Sequence, residues 1–450
     1  MKTYLPITLF FLSLWFSTTA QTNLTTRTVA TGLDTPWEII WGPDNHIWVT
    51  ERYGRISRIN PTTGAIIPLI TIADVRESGE GGLLGMALDT IARNNLPDVY
   101  VAYNYQNASN VYREKIVKYQ YNGSALINPI IIFDNINAST IHNGCRLLIS
   151  PDRKLLFSTG DASTTSNSQT VSSLNGKILR LNLDGSIPTD NPISNNPAWS
   201  WGHRNAQGLV YVPLHNSIYS SEHGANIEDE MNIIQKGRNY GWPRIEGFCD
   251  LTTETAFCRD SNVAEPIAAW TPTLGVAGID FYNHNRIPDW KNSILMTSLK
   301  GSRLTVNKLS NDGKQVVSKT DFYTNTYGRL RDVCISPDGK VYIAVSNKDT
   351  RGAPRSDDDK IVEISAPSTA VKETTSVIVV YPNPVRDILT IETKQTIGRV
   401  EILDNTGRLL VKNINNKVLN IAHLPDGVYL LNIYALDNAL VYSGKVVKVK

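Results

Sequence analysis

The sequence predicts an all-β protein, in which a large β-propeller is followed by a small β-sandwich. Helix signals are scarce, and short runs rich in Val, Ile, Tyr and Trp alternate with turns built from Gly, Pro, Asn and Asp. One strand unit also recurs along the chain. The 450 residues exceed an ordinary domain of ~100–200 residues, so we expect one large repeat fold or several domains.

The first 20 residues have the pattern of a secretory signal peptide. Lys2 supplies the positive charge, an apolar run extends from Leu5 to Phe16, and small residues precede Gln21, which would begin the mature chain. A transmembrane anchor is the alternative. The run is too short for a hydrocarbon core ~30 Å thick, and no second apolar run follows. The net charge of +2 gives no sign of a nucleic-acid or membrane-binding surface.

A repeated unit predicts the propeller, which we assign to residues 21–365. A Pro-Asp turn followed by a strand of β-branched and aromatic residues occurs in three segments, GPDNHIWVTE from Gly42, SPDRKLLFST from Ser150 and SPDGKVYIAV from Ser336. The first two are followed by further strands, GRISRIN and GKILRLN. Chance recurrence of common turns is the alternative, but the flanking strands favour blades of a propeller. Blades longer than the common ~40–50 residues would let residues 28–364 hold six, although the repeats alone do not fix that count.

The composition changes after Glu363. Residues 366–376 are polar and rich in small residues, which indicates a linker. Residues 377–450 alternate apolar and polar positions between Asn-Pro, Asp-Asn-Thr-Gly and Pro-Asp-Gly turns. This pattern predicts a small antiparallel β-sandwich.

Several motifs of this last segment occur in a fixed order. They are YPNP at Tyr381–Pro384, then ILDNTGRLL, then LPDGVYLL, then a basic C-terminus. In that order they resemble the sorting domain read by the type IX secretion system of Bacteroidetes-type bacteria. The resemblance implies the secretion machinery as a partner, a secreted or cell-surface product, and removal of the domain. A carbohydrate-binding sandwich is the alternative, but no cluster of aromatic residues supports it.

Four cysteines occur in the chain. Cys249 and Cys258 bracket a short segment, and in an oxidising compartment this spacing suits a local disulfide. A zinc site is the alternative, although no paired His or second Cys pair accompanies these two. Cys145 and Cys334 have no near partner, so we interpret them as small buried residues and leave a long-range bridge open.

Nucleotide-binding and common hydrolase motifs are absent from the sequence. There is no GxGxxG between a strand and a helix, no GxxxxGK[ST] loop, no HExxH and no GxSxG. A hydride-transfer enzyme of this sequence would therefore not use a Rossmann domain.

Polar residues cluster instead at turns between predicted strands. These turns are His142–Gly144, Gly202–Asn205, Glu222–Asn226, Lys300–Gly301 and Arg329–Asp332. Because propeller loops gather at the mouth of the central channel, residues far apart in sequence can meet there. Cations suit a polyanionic cofactor, carbonyl and carboxylate oxygens suit Ca²⁺, and a neutral His suits general-base chemistry. Each residue taken alone has a more ordinary interpretation, such as a surface ion pair or a solvated turn.

The matching stretches cover nearly all of residues 28–364. They are EGGLLGMAL, HNGCRLLISPDRKLLFSTGD, GHRNAQGLVY, SEHGANIEDEMNIIQKGRNYGWP, SLKG and GRLRDVCISPDGKVYIA. In this order they closely resemble the soluble PQQ-dependent glucose and aldose dehydrogenases, which are grouped with sorbosone dehydrogenases. PQQ is pyrroloquinoline quinone. The resemblance implies calcium-bound PQQ, a six-bladed propeller, and oxidation of an aldose-type sugar at its anomeric carbon to a lactone.

The resemblance also implies a role for individual residues. His142 would be the general base while hydride passes to PQQ, and Arg204 would stabilise negative charge on the quinone. Further implied roles concern the cofactor (Asn205, Lys300, Arg329, Arg331), the substrate side (Glu80, Asp161) and calcium binding by backbone carbonyls (Gly224, Ala225). Cys249–Cys258 resembles a disulfide loop of the aldose dehydrogenase branch.

Three positions depart from the glucose-active branch. Ile141 replaces an acidic residue before His142, Ala162 replaces a Gln, and Ala225 replaces a Pro in the calcium turn. A backbone carbonyl is the expected ligand, so the last change should matter little. The first two alter the sugar side of the pocket, and glucose is therefore not assumed as the substrate.

Two other functions compete with the dehydrogenase. The propeller family includes receptor-like proteins that bind partners without redox chemistry. The presence together of His142, Arg204, Lys300, Arg329 and Arg331 argues against that function. A calcium-dependent lactonase would need Asp, Glu and Asn ligands lining the channel, and no equally clear set is found. An external electron acceptor is implied as a partner, and nucleic acid is not.

Overall fold

The computed structural model describes residues 22–91, 96–366, 378–393, 396–404, 407–414, 416–436 and 440–450. The predicted signal peptide and all but Ala366 of the predicted linker lie outside these residues. The chain forms two compact units, one through residue 367 and one from residue 368. Strands dominate both units, so the prediction of an all-β protein is confirmed.

The described part of the first unit contains six antiparallel sheets of four strands each. In chain order the strands are β1 (Thr25–Thr31), β2 (Pro36–Trp41), β3 (Ile47–Glu51), β4 (Arg55–Ile59), β5 (Ile66–Thr71), β6 (Leu83–Asp89), β7 (Asp98–Gln106), β8 (Tyr112–Tyr121), β9 (Leu126–Asn137), β10 (Gly144–Ile149), β11 (Lys154–Thr159), β12 (Lys177–Asn182), β13 (Ala198–Trp201), β14 (Ala206–Val212), β15 (Ser217–Glu222), β16 (Asp229–Ile234), β17 (Ala268–Trp270), β18 (Val276–Tyr282), β19 (Ser293–Ser298), β20 (Arg303–Leu309), β21 (Val316–Phe322), β22 (Leu330–Ile335), β23 (Val341–Val345) and β24 (Lys360–Ser365).

Successive groups of four strands form the sheets, from β2–β5 to β18–β21, and the last sheet has the order β1-β24-β23-β22. The strands β2, β6, β10, β14, β18 and β22 contact one another in that order, and β22 also contacts β2. The series of contacts therefore closes on itself. The N-terminal strand β1 pairs with β24 and completes the last sheet.

Position within a sheet explains the hydrophobic patterns. The second strands β3, β19 and β23 are buried along their whole length, whereas the edge strand β21 is largely exposed. A strand covered on both faces needs no alternation of apolar and polar residues. The apolar clusters lie between neighbouring sheets; one joins Trp48 of β3 to Val99 and Val101 of β7. Burial of such surfaces from water stabilises the stack of sheets.

Helical structure is limited in the described residues to one α-helix, α1 (Thr255–Asp260), and two 3₁₀ turns, Thr165–Ser168 and Pro288–Trp290. Cys258 of α1 is bonded to Cys249, so the predicted disulfide is confirmed and the zinc alternative is wrong. Cys145 and Cys334 are buried and free, so no long-range bridge joins them. No described helix has the length and apolar character needed to cross a membrane.

The second unit contains two sheets in its described residues. Its strands are β25 (Val379–Tyr381), β26 (Ile388–Glu392), β27 (Ile397–Leu403), β28 (Leu409–Ile414), β29 (Val418–Asn420), β30 (Gly427–Ala435) and β31 (Leu440–Lys448). One sheet has the order β25-β26-β29 and the other β28-β27-β30-β31. Leu389 and Ile391 of the first sheet share one buried cluster with Val400 and Leu431 of the second.

Candidate functional site

A cavity of about 400 Å³ lies where the first strands of the six sheets begin. Each of these strands contributes a lining residue at or next to its start, namely Trp37, Leu84, Gly144, Gln207, Gly275 and Arg331. Loops between sheets supply the rest of the wall. Contacts between the six sheets therefore decide which side chains meet here.

Most of the predicted site residues line this cavity. They are Glu80, His142, Arg204, Gly224, Ala225, Lys300, Arg329 and Arg331. Asp161 and Asn205 are buried behind the wall and contact residues that line it. The structure thus brings the predicted set together, and the roles of its members remain predictions.

His142 forms a pair with Asp161. The imidazole Nδ1 lies 2.9 Å from Oδ1 of Asp161, whose side chain is fully buried. Because a carboxylate accepts hydrogen bonds, Nδ1 carries the proton of the neutral ring and Nε2 is left able to accept one. Asp161 Oδ1 also accepts the Ser163 N–H, and Oδ2 accepts the Trp242 indole N–H at 2.9 Å. Asp161 therefore stands behind the imidazole, away from the cavity surface on which sequence reasoning placed it.

The backbone around His142 is tightly constrained. His142 has a left-handed φ of +59°, a region that residues with a Cβ rarely adopt. Its carbonyl accepts the Ala162 N–H, and its own N–H donates to Glu80 Oε2 at 3.3 Å. A Cβ at Gly160 would lie 1.9 Å from the His142 carbonyl oxygen, so only glycine fits there. Loops from different sheets thus hold the imidazole in one place.

Glu80 carries a negative charge in the wall of the cavity. Burial raises the pKa of this carboxyl, but His223, Arg351, the His142 N–H and Arg331 outweigh it, so its pKa is lowered. The Arg351 guanidinium lies 3.0 Å from Glu80 Oε1, and its side chain is 59% exposed. Glu80 and Arg351, which lie far apart in the sequence, therefore form an ion pair at the edge of the cavity.

Six cationic side chains line the cavity, and they fall into two groups. Arg52, Arg329 and Arg351 are paired with Glu77, Asp349 and Glu80. Within the described ranges, no carboxylate forms an ion pair with Arg204, Lys300 or Arg331. Lys300 donates to the Thr273 hydroxyl at 3.3 Å, and Arg331 donates to the Gln207 amide oxygen at 3.1 Å.

Arg331 and Arg204 also have donors without acceptors. The Nε atoms of both side chains are buried and have no hydrogen-bond partner among the residues that the structure describes. Burial lowers the pKa of Arg331 to about 10, although Asp349 raises it. Because a buried charge without a counter-ion is costly, this wall favours an anionic ligand.

Glu222 organises the turn that carries Arg204 and Asn205. One of its carboxylate oxygens accepts both backbone N–H groups, and the other lies 2.8 Å from His203 Nδ1. Asn205 Oδ1 in turn accepts the Gly144 N–H at 3.1 Å. The loop that holds His142 and the loop that holds Arg204 are joined in this way.

The turn at Gly224 and Ala225 presents carbonyl oxygens that the described part of the chain leaves without hydrogen-bond donors. The Gly224 N–H donates to Asp229 Oδ1 at 2.9 Å, and Asp229 Oδ2 accepts the Leu274 N–H. A Cβ at Gly224 would lie 2.0 Å from the Ile227 carbonyl oxygen, which explains the glycine. Carbonyl oxygens of this kind are ligands that Ca²⁺ accepts.

Residues 33–353, more than half of the chain, match the family model described as glucose/sorbosone dehydrogenase. The chain belongs to the glucose/sorbosone dehydrogenase family. Residues 379–449 match the secretion system C-terminal sorting domain, which supports export to the cell surface or the medium.

Relatives of this glucose/sorbosone dehydrogenase family member include named enzymes. It is 29% identical over 447 residues to quinoprotein glucose dehydrogenase B of Acinetobacter calcoaceticus, covering 80% of this chain and 92% of that protein. It is 30% identical over 329 residues to aldose sugar dehydrogenase YliI of Escherichia coli K12, covering 69% and 87%. The PQQ-bound aldose sugar dehydrogenase of Streptomyces coelicolor superposes with a TM-score of 0.66 at 33% identity, covering 77% of this chain and 99% of that one.

Sequence reasoning gave no role to several residues of the site in this family member, among them Glu222, Trp242 and Arg351. Glu222 and Trp242 lie inside the motifs SEHG and NYGWP, but nothing in the motifs shows what their side chains contact. Arg351 lies in no motif quoted for the family. Its only sequence signal was a charged segment that contains Lys348, Asp349 and Arg351.

Proposed function

We propose that this protein oxidises an aldose-type sugar at its anomeric carbon to a lactone, using PQQ and Ca²⁺ held in the cavity. The observation that carries the proposal is the His142–Asp161 pair beside three cations that have no carboxylate partner. An external electron acceptor would then reoxidise the reduced cofactor.

The cation set fits a polycarboxylate cofactor. Lys300, Arg329 and Arg331 would bind its carboxylates, and the unpaired Nε atoms of Arg204 and Arg331 support an anion on this wall. The free carbonyl oxygens of Gly224 and Ala225 would bind the calcium. Bound PQQ would accept the hydride released by the sugar, with calcium as a Lewis acid.

His142 would move the proton. Its Nε2 would take the proton of the anomeric hydroxyl as the C–H bond breaks and the C=O bond of the lactone forms. Asp161 would hold the Nδ1–H and stabilise the imidazolium that results. Arg204 and Asn205, fixed by Glu222, would stabilise negative charge that develops beside them.

Glu80 and Arg351 would contact the sugar. The ionised Glu80 carboxylate accepts hydrogen bonds, which suits sugar hydroxyls, and Arg351 fixes its orientation from the rim. Ile141 and Ala162 replace polar residues of the glucose-active branch, so we do not assign glucose as the substrate.

We also propose the domain architecture of the chain. The six sheets would be blades of a six-bladed propeller spanning residues 21–365, and the closed series of contacts among β2, β6, β10, β14, β18 and β22 supports this count. Residues 377–450 would form a β-sandwich, since its two sheets share one buried cluster. Residues 1–20 would be the signal peptide, 366–376 the linker, and the type IX secretion machinery the partner of the C-terminal domain.

The experiment that tests the function is reconstitution of the mature chain with PQQ and Ca²⁺, followed by dye reduction with a panel of aldoses. We expect turnover that needs both additions and falls at least a hundredfold in His142→Ala, the scale of general-base catalysis of about 10²–10⁴. His215→Ala is a matched control, because His215 bonds Asn292 and does not line the cavity. Absence of both PQQ binding and turnover would refute the enzyme. Binding without turnover across the panel would refute aldoses as substrates.

A further inference from the structure

Trp242 contacts both halves of the proposed catalytic site. Its indole Nε1–H donates to Asp161 Oδ2 at 2.9 Å, while Asp161 Oδ1 lies 2.9 Å from His142 Nδ1. The Arg204 guanidinium lies 5.2 Å from the centre of the indole ring. One side chain therefore links the carboxylate behind His142 to Arg204.

Backbone hydrogen bonds fix the position of this indole. The Trp242 N–H donates to the Gly202 carbonyl at 3.0 Å, two residues before Arg204. The Trp242 carbonyl accepts the Gln169 amide N–H at 2.7 Å, and Gln169 in turn bonds Asn239. The ring is thus tied to the loop that carries Arg204 and to the loop that follows Asp161.

The three donors on Asp161 determine how its carboxylate is rotated. Oδ1 receives the His142 Nδ1–H and the Ser163 N–H, and Oδ2 receives only the indole N–H among the hydrogen bonds of the described residues. Without the indole, Oδ2 would be a buried acceptor with no partner, which is unfavourable and allows the carboxylate to turn.

We propose that Trp242 is a positioning residue that acts through Asp161 to orient and tune His142 while its ring holds Arg204. The effect of Trp242 on turnover rests on the proposed function, whereas its effect on the position of His142 does not. The contacts that carry it lie within the chain itself.

The effect on His142 has a direction. The carboxylates next to His142 are Asp161 and Glu80, and Arg204, Arg331, Arg351 and His223 line the same cavity. Loss of the indole donor leaves Oδ2 of Asp161 without a partner among the described residues, so the carboxylate can turn away from Nδ1. The hydrogen bond between Asp161 and the His142 imidazole should therefore weaken.

The first test is an NMR measurement, at one fixed pH, of the His142 Nδ1–H proton in the cofactor-free full chain, with the resonance assigned by its loss in His142→Ala. We expect Trp242→Phe to move this resonance upfield, because a longer hydrogen bond to Asp161 deshields the proton less. Trp48→Phe is the matched control, because Trp48 donates to Asp44 at 3.0 Å far from the cavity. In Asp161→Ala the Trp242 indole proton should shift. An unchanged His142 Nδ1–H resonance in Trp242→Phe, or an unchanged indole proton in Asp161→Ala, would overturn the proposal.

The second test is a double-mutant cycle in the enzyme loaded with PQQ and Ca²⁺. We expect Trp242→Phe to lower kcat/KM about tenfold, mainly through kcat, and to cost no more than twofold when Asp161 is already Ala. Additive losses would overturn the proposal. If no sugar is oxidised, the proposed function fails, while the NMR coupling still decides the role of Trp242.

Discussion

Replacement of Arg331 by Met should stabilise the cofactor-free protein and weaken its binding of PQQ. Arg331 is buried, and in the described part of the chain it has no carboxylate in an ion pair and no acceptor for its Nε–H. Met has a similar length and no charge, so it removes the desolvation penalty while it retains most of the packing.

The magnitude follows from the pKa of Arg331, which burial lowers from 12.5 to about 10. At about 1.4 kcal/mol per unit, the charged form is disfavoured by roughly 3 kcal/mol in the folded protein. Loss of the hydrogen bond to Gln207 and of the contact with the Trp37 ring at 5.8 Å removes about 1–2 kcal/mol. The net gain in the free energy of unfolding should be about 1–2 kcal/mol. Its sign does not change with pH below 9, because the arginine stays charged there in both states.

Urea unfolding at pH 7 with and without PQQ and Ca²⁺ measures both effects. A charge-assisted hydrogen bond contributes about 1.5–3 kcal/mol, so Kd for PQQ should rise roughly 10- to 150-fold. Ligand binding stabilises the folded state by RT ln(1 + [L]/Kd), so at PQQ concentrations above both Kd values the wild type should become the more stable protein. Lys308→Met, at a cation that does not line this cavity, is the control. A cofactor-free Arg331→Met that unfolds more easily than the wild type would refute the reasoning.

Two further predictions concern the rim and a buried acid. Arg351→Ala should raise KM for the best aldose about three- to tenfold with little change in kcat, because Glu80 loses its orienting partner at 3.0 Å. Steady-state kinetics of this variant, of Glu80→Gln and of the double variant should show non-additive effects. A loss in kcat as large as the rise in KM would contradict this role. Burial and the neighbouring Glu222 raise the pKa of Glu230 to about 8, above the ordinary value of 4.5. The stability that the neutral carboxyl contributes is therefore fully present below pH 4.5 and is lost as the pH rises through 8. Urea unfolding from pH 5 to 8 should therefore show a decline of up to about 1.4 kcal/mol per unit that is absent in Glu230→Gln, and parallel curves for the two proteins would contradict the assignment.

The repeats in the sequence predicted strands with good accuracy. The segments after the three Pro-Asp turns became β3, β11 and β23, each the second strand of its sheet, and GRISRIN and GKILRLN became β4 and β12. These strands could be predicted because both the turn and the apolar run that follows it are local features. Of the remaining three sheets, two also have a Pro-Asp pair before their second strand, Pro97-Asp98 at β7 and Pro288-Asp289 at β19, which were not recognised as repeats. The third sheet has no such pair before β15, so only its composition indicated a strand.

The contacts within the site could not be predicted in the same way. That His142 lines a cavity with Arg331 followed from resemblance, but Asp161 was placed on the substrate side and lies behind the imidazole. Its position depends on a left-handed backbone at His142 and on the close approach of Gly160, which no pattern of residue types specifies. The Glu80–Arg351 pair depends on which loops of separate sheets meet, and only the closed packing of the sheets decides that.

The pairing of β1 with β24 makes the two ends of the first unit mutually dependent. Thr25 and Ser365 are partners across this ladder although 340 positions separate them in the chain. A nascent chain therefore cannot complete its final sheet until nearly the whole unit has left the ribosome. Such late, long-range closure slows folding, because the entropy of closing so long a loop is lost before the contacts between its ends form.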